Sequence, residues 1–351
     1  MKYKLTDETT TTNTGIVLHR IECVTAFSGV KVGEKGGWIE REENISQCDN
    51  CWVYGDAKVY GDAQVYGDAQ VYGNARVYGD AFVYGNARVY GDARVYGDAR
   101  VFGNAQVCEN AQVCENAHVY GNARVYGDAF VCENAQVYGD AQVCGDAVVC
   151  GDAFVCGDAR VYGDALVCGD ALVCGDAKVC ENAHVYGNAR VYGDAQVYGD
   201  AFVYGNARVY GDALVFGNAQ VCENAHVYGN ARVYGDAFVC ENAQVYENAQ
   251  VCGDARVYGD AQVYGDALVC ENAQVYGNAV IGNSNDYIVF KNNWSSGRHF
   301  TWTSSNDMWK VGCFYGTGKE LIEKAYKDSK LSGDCYKAYV ELVEKLKEIQ
   351  K

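Results

Sequence analysis

From Val53 to Val280 one six-residue unit repeats thirty-eight times without an insertion: Val, then Tyr, Cys or Phe, then Gly or Glu, then Asp or Asn, then Ala, then a variable residue. A fixed short period specifies a solenoid, because no repeat can bury its own apolar side and each must stack on its neighbours. In Ala57-Lys58-Val59-Tyr60 the alternation sends Ala and Val to one side of a short strand and Lys58 and Tyr60 to the other. Ala and Val therefore form a thin interior. Each buried Val contributes roughly 1.5 kcal/mol, so stability accrues coil by coil. The two residues before each Ala turn a corner. Glu replaces Gly there in eight hexads, whereas the next position is always Asp or Asn, the non-Gly residues that best tolerate a left-handed backbone. The pattern predicts the left-handed corner residue at the Asp/Asn position. Glu is followed by Asn every time, so no corner carries two adjacent carboxylates. The chain has no Pro, as expected where nearly every backbone N–H donates to the next coil.

An aliphatic inward residue with a small inward residue two positions before it resembles the pattern of the hexapeptide-repeat family. That resemblance implies an all-β solenoid, a left-handed parallel β-helix of triangular section with three hexads per coil. The expected organisation is an N-terminal β cap over residues 1–46, the solenoid over 47–282, and an α+β C-terminal cap over 283–351 ending in two helices. Ile45, Gln47 and Cys51 already fall in register ahead of Val53. In the first flank, residues from Ile16 to Phe27 alternate apolar and polar, and Gly36-Gly37-Trp38-Ile39-Glu40 suggests a small β unit. In the last, strands are predicted at Tyr287 to Phe290, His299 to Thr303 and Met308 to Phe314. Thr317 with Glu320 makes a capping box that opens the first helix, and both helices are expected against the last coil.

The net charge of −17 is carried entirely by the repeats, with 21 Asp and 8 Glu against 10 Arg and 2 Lys. Such a surface repels nucleic acid and membranes, so direct binding of either is not expected, and its simplest role is solubility. Thirteen of the 18 Cys replace Tyr at an outward position of the hexad. Stepped by coil, Cys114, Cys132, Cys150 and Cys168 form a column, expected as free thiols in a reducing cytoplasm. His19, Cys23, Cys48 and Cys51 have a loose zinc spacing, but Cys51 falls inward and Cys48 outward in register, so no metal and no cofactor are expected.

Read coil by coil, one face carries Phe130, Val148, Leu166, Phe202 and Phe238, interleaved with Cys132, Cys150, Cys168 and Tyr204. This exposed apolar stripe is the expected contact for a protein partner or a second copy. The 25 residues Cys114–Tyr138 recur identically as Cys222–Tyr246, a shift that preserves the face.

Many hexapeptide-repeat proteins are acyltransferases in which a catalytic His and loops between coils build a site. Here the coils have no loops. His118 and His226 share a face but lie six coils apart, and with His184 they occupy a variable position otherwise given to surface residues, so they read as solvated. No catalytic residue is assigned and the chain is expected not to be an enzyme.

The stretches Gly36-Gly37-Trp38-Ile39-Glu40, Asn44-Ile45-Ser46-Gln47, Trp52-Val53-Tyr54-Gly55 and Val311-Gly312-Cys313-Phe314-Tyr315-Gly316-Thr317 resemble the ends of hexapeptide-repeat proteins encoded by phages and prophages. That likeness implies a protein acting in the cytoplasm of a bacterial host, or in the virion. The function expected on these grounds is a non-enzymatic interaction protein that binds a host factor to counter defence. Its alternatives are a structural spacer whose copy number sets length and, disfavoured by the missing loops, an acyltransferase-like enzyme.

Overall fold

The computed structural model describes residues 1–349 and divides the chain into two compact units, Met1–Asp194 and Ala195–Lys351. In each unit a hexad supplies a two-residue strand made of its variable residue and the following Val, such as Lys58–Val59 or Gln196–Val197. Each strand pairs in parallel with the one three hexads on, Arg88 opposite Gln106 in the first unit and Gln196 opposite Leu214 in the second. Three parallel sheets result, and both units are parallel β-solenoid. The inward Val and Ala side chains of the repeats are at most 1% exposed, as the alternation requires.

The corner is built differently from expectation. Positive φ falls on the Gly/Glu position, 70° at Gly61, 60° at Glu109 and 57° at Glu115, and no Asp or Asn of the described repeats shares it. With left-handed backbone at the second of four residues and the Ala111 N–H donating to the Cys108 carbonyl at 3.2 Å, the corner is a type II′ turn. Where the next position is Asn, its side chain forms a ladder between coils, donating to the Asn or Asp eighteen residues on; where Asp stacks on Asp, as at Asp62, Asp80 and Asp98, no such donor is present. Asn86 Nδ2 donates to Asn104 Oδ1 at 3.0 Å, Asn104 to Asn122 at 3.0 Å, and Asn122 to Asp140 at 2.8 Å. A Glu at the left-handed position costs about 1–2 kcal/mol relative to Gly. At Glu109 the cost is partly offset, because Oε2 accepts the Gly127 N–H of the next coil at 2.8 Å. Outside the corners aromatic rings stack in columns, Tyr66 on Tyr84, Tyr84 on Phe102 and Phe102 on Tyr120, each pair at 4.8 Å.

The coils have a polarity, since backbone N–H groups of one coil donate to carbonyls of the next, as Lys58 N does to Ala75 O at 2.9 Å. The start of the solenoid therefore presents carbonyls and its end presents N–H groups. At the start, the N–H groups of Trp38, Glu40 and Ser46 donate to the carbonyls of Ala57, Val59 and Val65. Strand Lys35–Ile39 thus joins the first sheet beside Lys58–Val59 and itself receives the antiparallel hairpin Tyr3–Thr11/Val17–Cys23. Its two glycines allow this approach: a Cβ on Gly36 would sit 2.6 Å from the Val53 carbonyl oxygen, and one on Gly37 would sit 2.6 Å from that of Ala57.

At the other end the N–H groups need acceptors, and hydroxyls supply them. Gln274 N–H donates to Thr301 Oγ1 at 2.8 Å and Val280 N–H to Ser305 Oγ at 2.7 Å, with longer bonds from Leu268 to Ser284 and Cys270 to Tyr287. The hydroxyls belong to an antiparallel sheet of Tyr287–Lys291, His299–Thr303, Met308–Val311 and Phe314–Gly316 and to the turns beside its strands. The predicted strand from Met308 to Phe314 is split in two by Gly312, whose φ of 55° turns the chain. Helices α1 (Gly318–Asp328) and α2 (Lys330–Ile349) follow, α1 opened by the expected Thr317/Glu320 capping box. They pack on this sheet, around Phe300, Trp309, Leu321, Tyr336 and Val343, rather than directly on the coil as expected. No helix among the described residues is long and apolar enough to cross a membrane.

Candidate functional site

Along the first sheet of unit 1 the variable residues run Lys58, Arg76, Arg94, Gln112, Phe130, Val148, Leu166, His184 in register. Phe130, Val148 and Leu166 are thus direct neighbours, but they are half-buried by one another and by the adjoining columns. Cys132 is buried, and Cys150 and Cys168 are half-buried. In unit 2 Phe202, Tyr204 and Phe238 are also half-buried, and Gln220 separates the two phenylalanines. The stripe anticipated as exposed is therefore partly exposed, with Cys132 its one buried member.

Burial governs the thiols as well. It pushes Cys132 up to about 12 and Cys150 up to about 11, with neighbouring thiols adding to the effect, so this column is protonated at neutral pH and poorly nucleophilic. Cys156 differs: the Cys174 thiol donates a hydrogen bond to it, and that bond eases its ionisation. The four residues with zinc-like spacing do not converge. His19 Nδ1 sits 3.2 Å from the Thr6 carbonyl, Cys23 donates to the Thr25 carbonyl, Cys51 lies in the interior and Cys48 is exposed. Among the described residues no three His, Cys, Asp or Glu side chains gather as a ligand set.

The imidazoles are less exposed than their place in the hexad suggests. His118 stands in register between Arg100 and Gln136, half-buried, with its ring edge-on to Phe102 at 6.4 Å and 74°. Burial, and after it the Arg100 guanidinium, holds its pKa below the usual histidine range. In unit 2 the arrangement recurs: His226 lies between Arg208 and Gln244, edge-on to Tyr210 at 6.2 Å and 77°, its pKa lowered by burial and then by Arg208. Each is a neutral base at neutral pH, partly shielded from water, with an exposed arginine one rung before it, and the Arg100 guanidinium lies over the Phe82 ring at 5.7 Å. A base of that kind can take a proton from a hydroxyl or amine, and the cation can stabilise negative charge developing on oxygen. The signal missed in the sequence is the residue one coil earlier: Arg three hexads before each of these two histidines, followed two positions on by an aromatic ring.

The YdcK Beta solenoid repeat family matches eleven stretches of the chain: 69–82, 81–95, 93–109, 117–133, 153–169, 183–199, 195–209, 201–213, 207–223, 225–241 and 249–265. The chain is also similar to an Escherichia coli (strain K12) protein named uncharacterized acetyltransferase YdcK, at 35% identity over 60 residues. That stretch is 15% of this chain and spans 18% of the relative's length. A solved structure from Desulfovibrio desulfuricans G20 that bears the provisional name of an acetyltransferase aligns over 78% of this chain and 76% of its own, at 11% identity and a TM-score of 0.19. The chain is accordingly a hexapeptide-repeat-like solenoid. The expectation that it is not an enzyme does not stand, because the sequence relative is named for acetyl transfer. That expectation took inserted loops as the sole means of shielding a side chain from water, whereas stacked coils half-bury His118 and His226 without any.

Proposed function

We propose that this protein is an acyltransferase-like enzyme in which His118 and His226 are general bases. The observation that carries the reading is the 60-residue likeness, at 35% identity, to a protein named as an acetyltransferase. The two histidine environments support it chemically. The neutral imidazole removes the proton from an acceptor hydroxyl or amine as that group attacks the acyl carbonyl. Arg100, or Arg208 at the second copy, faces the oxygen on which charge accumulates. The proton held by the imidazole then passes to the departing group of the donor, and the base is restored. The flanking Phe102 and Tyr210 rings keep water from one side of the base, which favours the neutral form between turnovers.

Purified protein incubated with an acetyl thioester and a panel of hydroxyl and amine acceptors is expected to release thiol in an acceptor-dependent manner. Replacing both histidines by Ala lowers the rate by about 10²-fold or more, the usual contribution of a positioned general base. Absence of turnover across a broad panel, or full turnover in the double variant, overturns the proposal.

A further inference from the structure

The hairpin that caps unit 1 does more than extend the first sheet. Its tip reaches over the first two rungs of the sheet and encloses a cleft of about 180 Å³ lined by Thr12, Asn13 and Thr14 from above and by Lys58, Tyr60, Arg76 and Tyr78 from below. The tip is held in shape by its own hydrogen bonds: Ile16 N–H donates to Thr12 Oγ1 at 3.0 Å, Thr12 N–H to the Ile16 carbonyl at 2.9 Å, and the Thr12 and Thr14 hydroxyls lie 2.9 Å apart. The floor is equally fixed, because Lys58 and Arg76 are register partners and the Tyr60 and Tyr78 rings stack at 5.0 Å with 2° between their planes.

One feature separates this place from the rest of the faces. Of the ten arginines at the variable position, nine are exposed, and Arg76 alone is half-buried, by the hairpin tip. Neither Arg76 nor Lys58 makes an ion pair among the described residues, although the solenoid carries 29 carboxylates between Val53 and Val280. The corner carboxylate that follows Tyr60, Asp62, is already engaged by Arg41. Two adjacent cations, partly shielded from water and unmatched by acid, leave a charge to be neutralised.

We infer that this cleft binds a small dianion, the phosphate group of a low-molecular-weight ligand. The donors decide the class. Lys58 and Arg76 supply the positive charges, the Tyr60, Tyr78, Thr12 and Thr14 hydroxyls and the Asn13 amide supply further donors, and a phosphate offers at least three acceptor oxygens at up to two negative charges. A carboxylate offers two oxygens and one charge and leaves most of these donors unmatched. The inference is independent of acyl transfer, since every residue it uses lies outside the histidine sites.

Calorimetric titration of the full chain with inorganic phosphate, with methyl phosphate and with acetate tests it. Saturable binding of one phosphate per chain is expected, weakened about tenfold or more by Arg76→Gln and by Lys58→Gln. Arg94→Gln, one rung further along and exposed, should leave it unchanged. Tighter binding of methyl phosphate than of inorganic phosphate identifies an esterified ligand, and the reverse identifies the free ion. No saturable phosphate binding, equal binding of acetate, or equal loss in Arg94→Gln overturns the inference. Circular dichroism of each variant separates lost binding from lost fold. Acyl transfer measured on the same variants is expected to be unaltered in the absence of phosphate, so failure of either idea is read separately.

Discussion

The blocks Cys114–Tyr138 and Cys222–Tyr246 are identical in sequence, yet they lie in different units and meet different neighbours. Phe102 precedes the first histidine by one coil where Tyr210 precedes the second, and Gly139-Asp140 follows the first block where Glu247-Asn248 follows the second. The two imidazoles nevertheless take the same pose, edge-on to the ring before them at 6.4 and 6.2 Å, and burial followed by an Arg depresses both. The difference between the blocks teaches how far influence travels in this fold. A residue is set by its own rung and the rung on either side, as expected where each repeat touches only its neighbours. A site can then be copied along the solenoid intact, provided the preceding rung supplies Arg and an aromatic ring.

The comparison breaks most severely in the interior. Val119→Asp or Val227→Asp places an unpaired carboxylate among aliphatic side chains that are 0% exposed and should cost on the order of 4 kcal/mol or more. Hydrogen exchange should show the protection lost around the substituted block while the identical block in the other unit stays protected. Loss of protection in both would mean that the blocks are coupled. Next in size is catalysis: His118→Ala and His226→Ala should each remove about half of the transfer rate, and the double variant about 10²-fold. If one single variant removes nearly all of it, Phe102 against Tyr210 is not the neutral difference it looks.

Acidity supplies a third contrast. Both folded imidazoles titrate below an unfolded histidine, so on acidification the unfolded chain binds protons first. Stability is then full above about pH 6.5 and falls as pH drops from there toward the folded pKa values. The acid limb of kcat/KM should likewise lie below about pH 6.5, and His118→Gln should remove part of the fall in stability followed by thermal melting. The smallest effect is at the corners. Glu115→Gly and its equivalent Glu223→Gly relieve left-handed Glu residues at φ of 57° and 56° and should raise stability equally, by about 1 kcal/mol or less once the freedom of Gly in the unfolded chain is counted. Glu109→Gly should gain less, because it gives up the bond to Gly127 N–H.

The period and the alternation are enough to read the coil, its three sheets and its Val/Ala interior from the residues alone. The corner resists such reading for an instructive reason: an invariant Asp/Asn suggests a demand of backbone conformation, yet the positive φ falls one residue earlier, and the Asn members of the position donate from coil to coil instead. Asn110 shows it, its amide reaching Asp128 Oδ1 at 2.8 Å while the residue before it, Glu109, carries the positive φ. The histidine environments are hidden because half-burial comes from residues eighteen and sixteen positions back, which a scan along the hexad treats as unrelated. The basic cleft is hidden more deeply. Nothing within the repeats distinguishes Arg76 from Arg94, and only the reach of the Thr12–Thr14 tip across two rungs sets them apart.

The hydroxyls of Thr301 and Ser305 bear on a hazard built into any such stack. A finished coil is a template with free valences, and a solenoid end with open N–H groups is an active growing end to which a strand from any molecule can add. Oxygen acceptors without a following strand accept those hydrogen bonds and offer nothing to continue from, much as a monofunctional reagent quenches a polymerisation. The C-terminal sheet is in this sense a chain terminator, and the length of the assembly is written into the gene instead of being left to concentration.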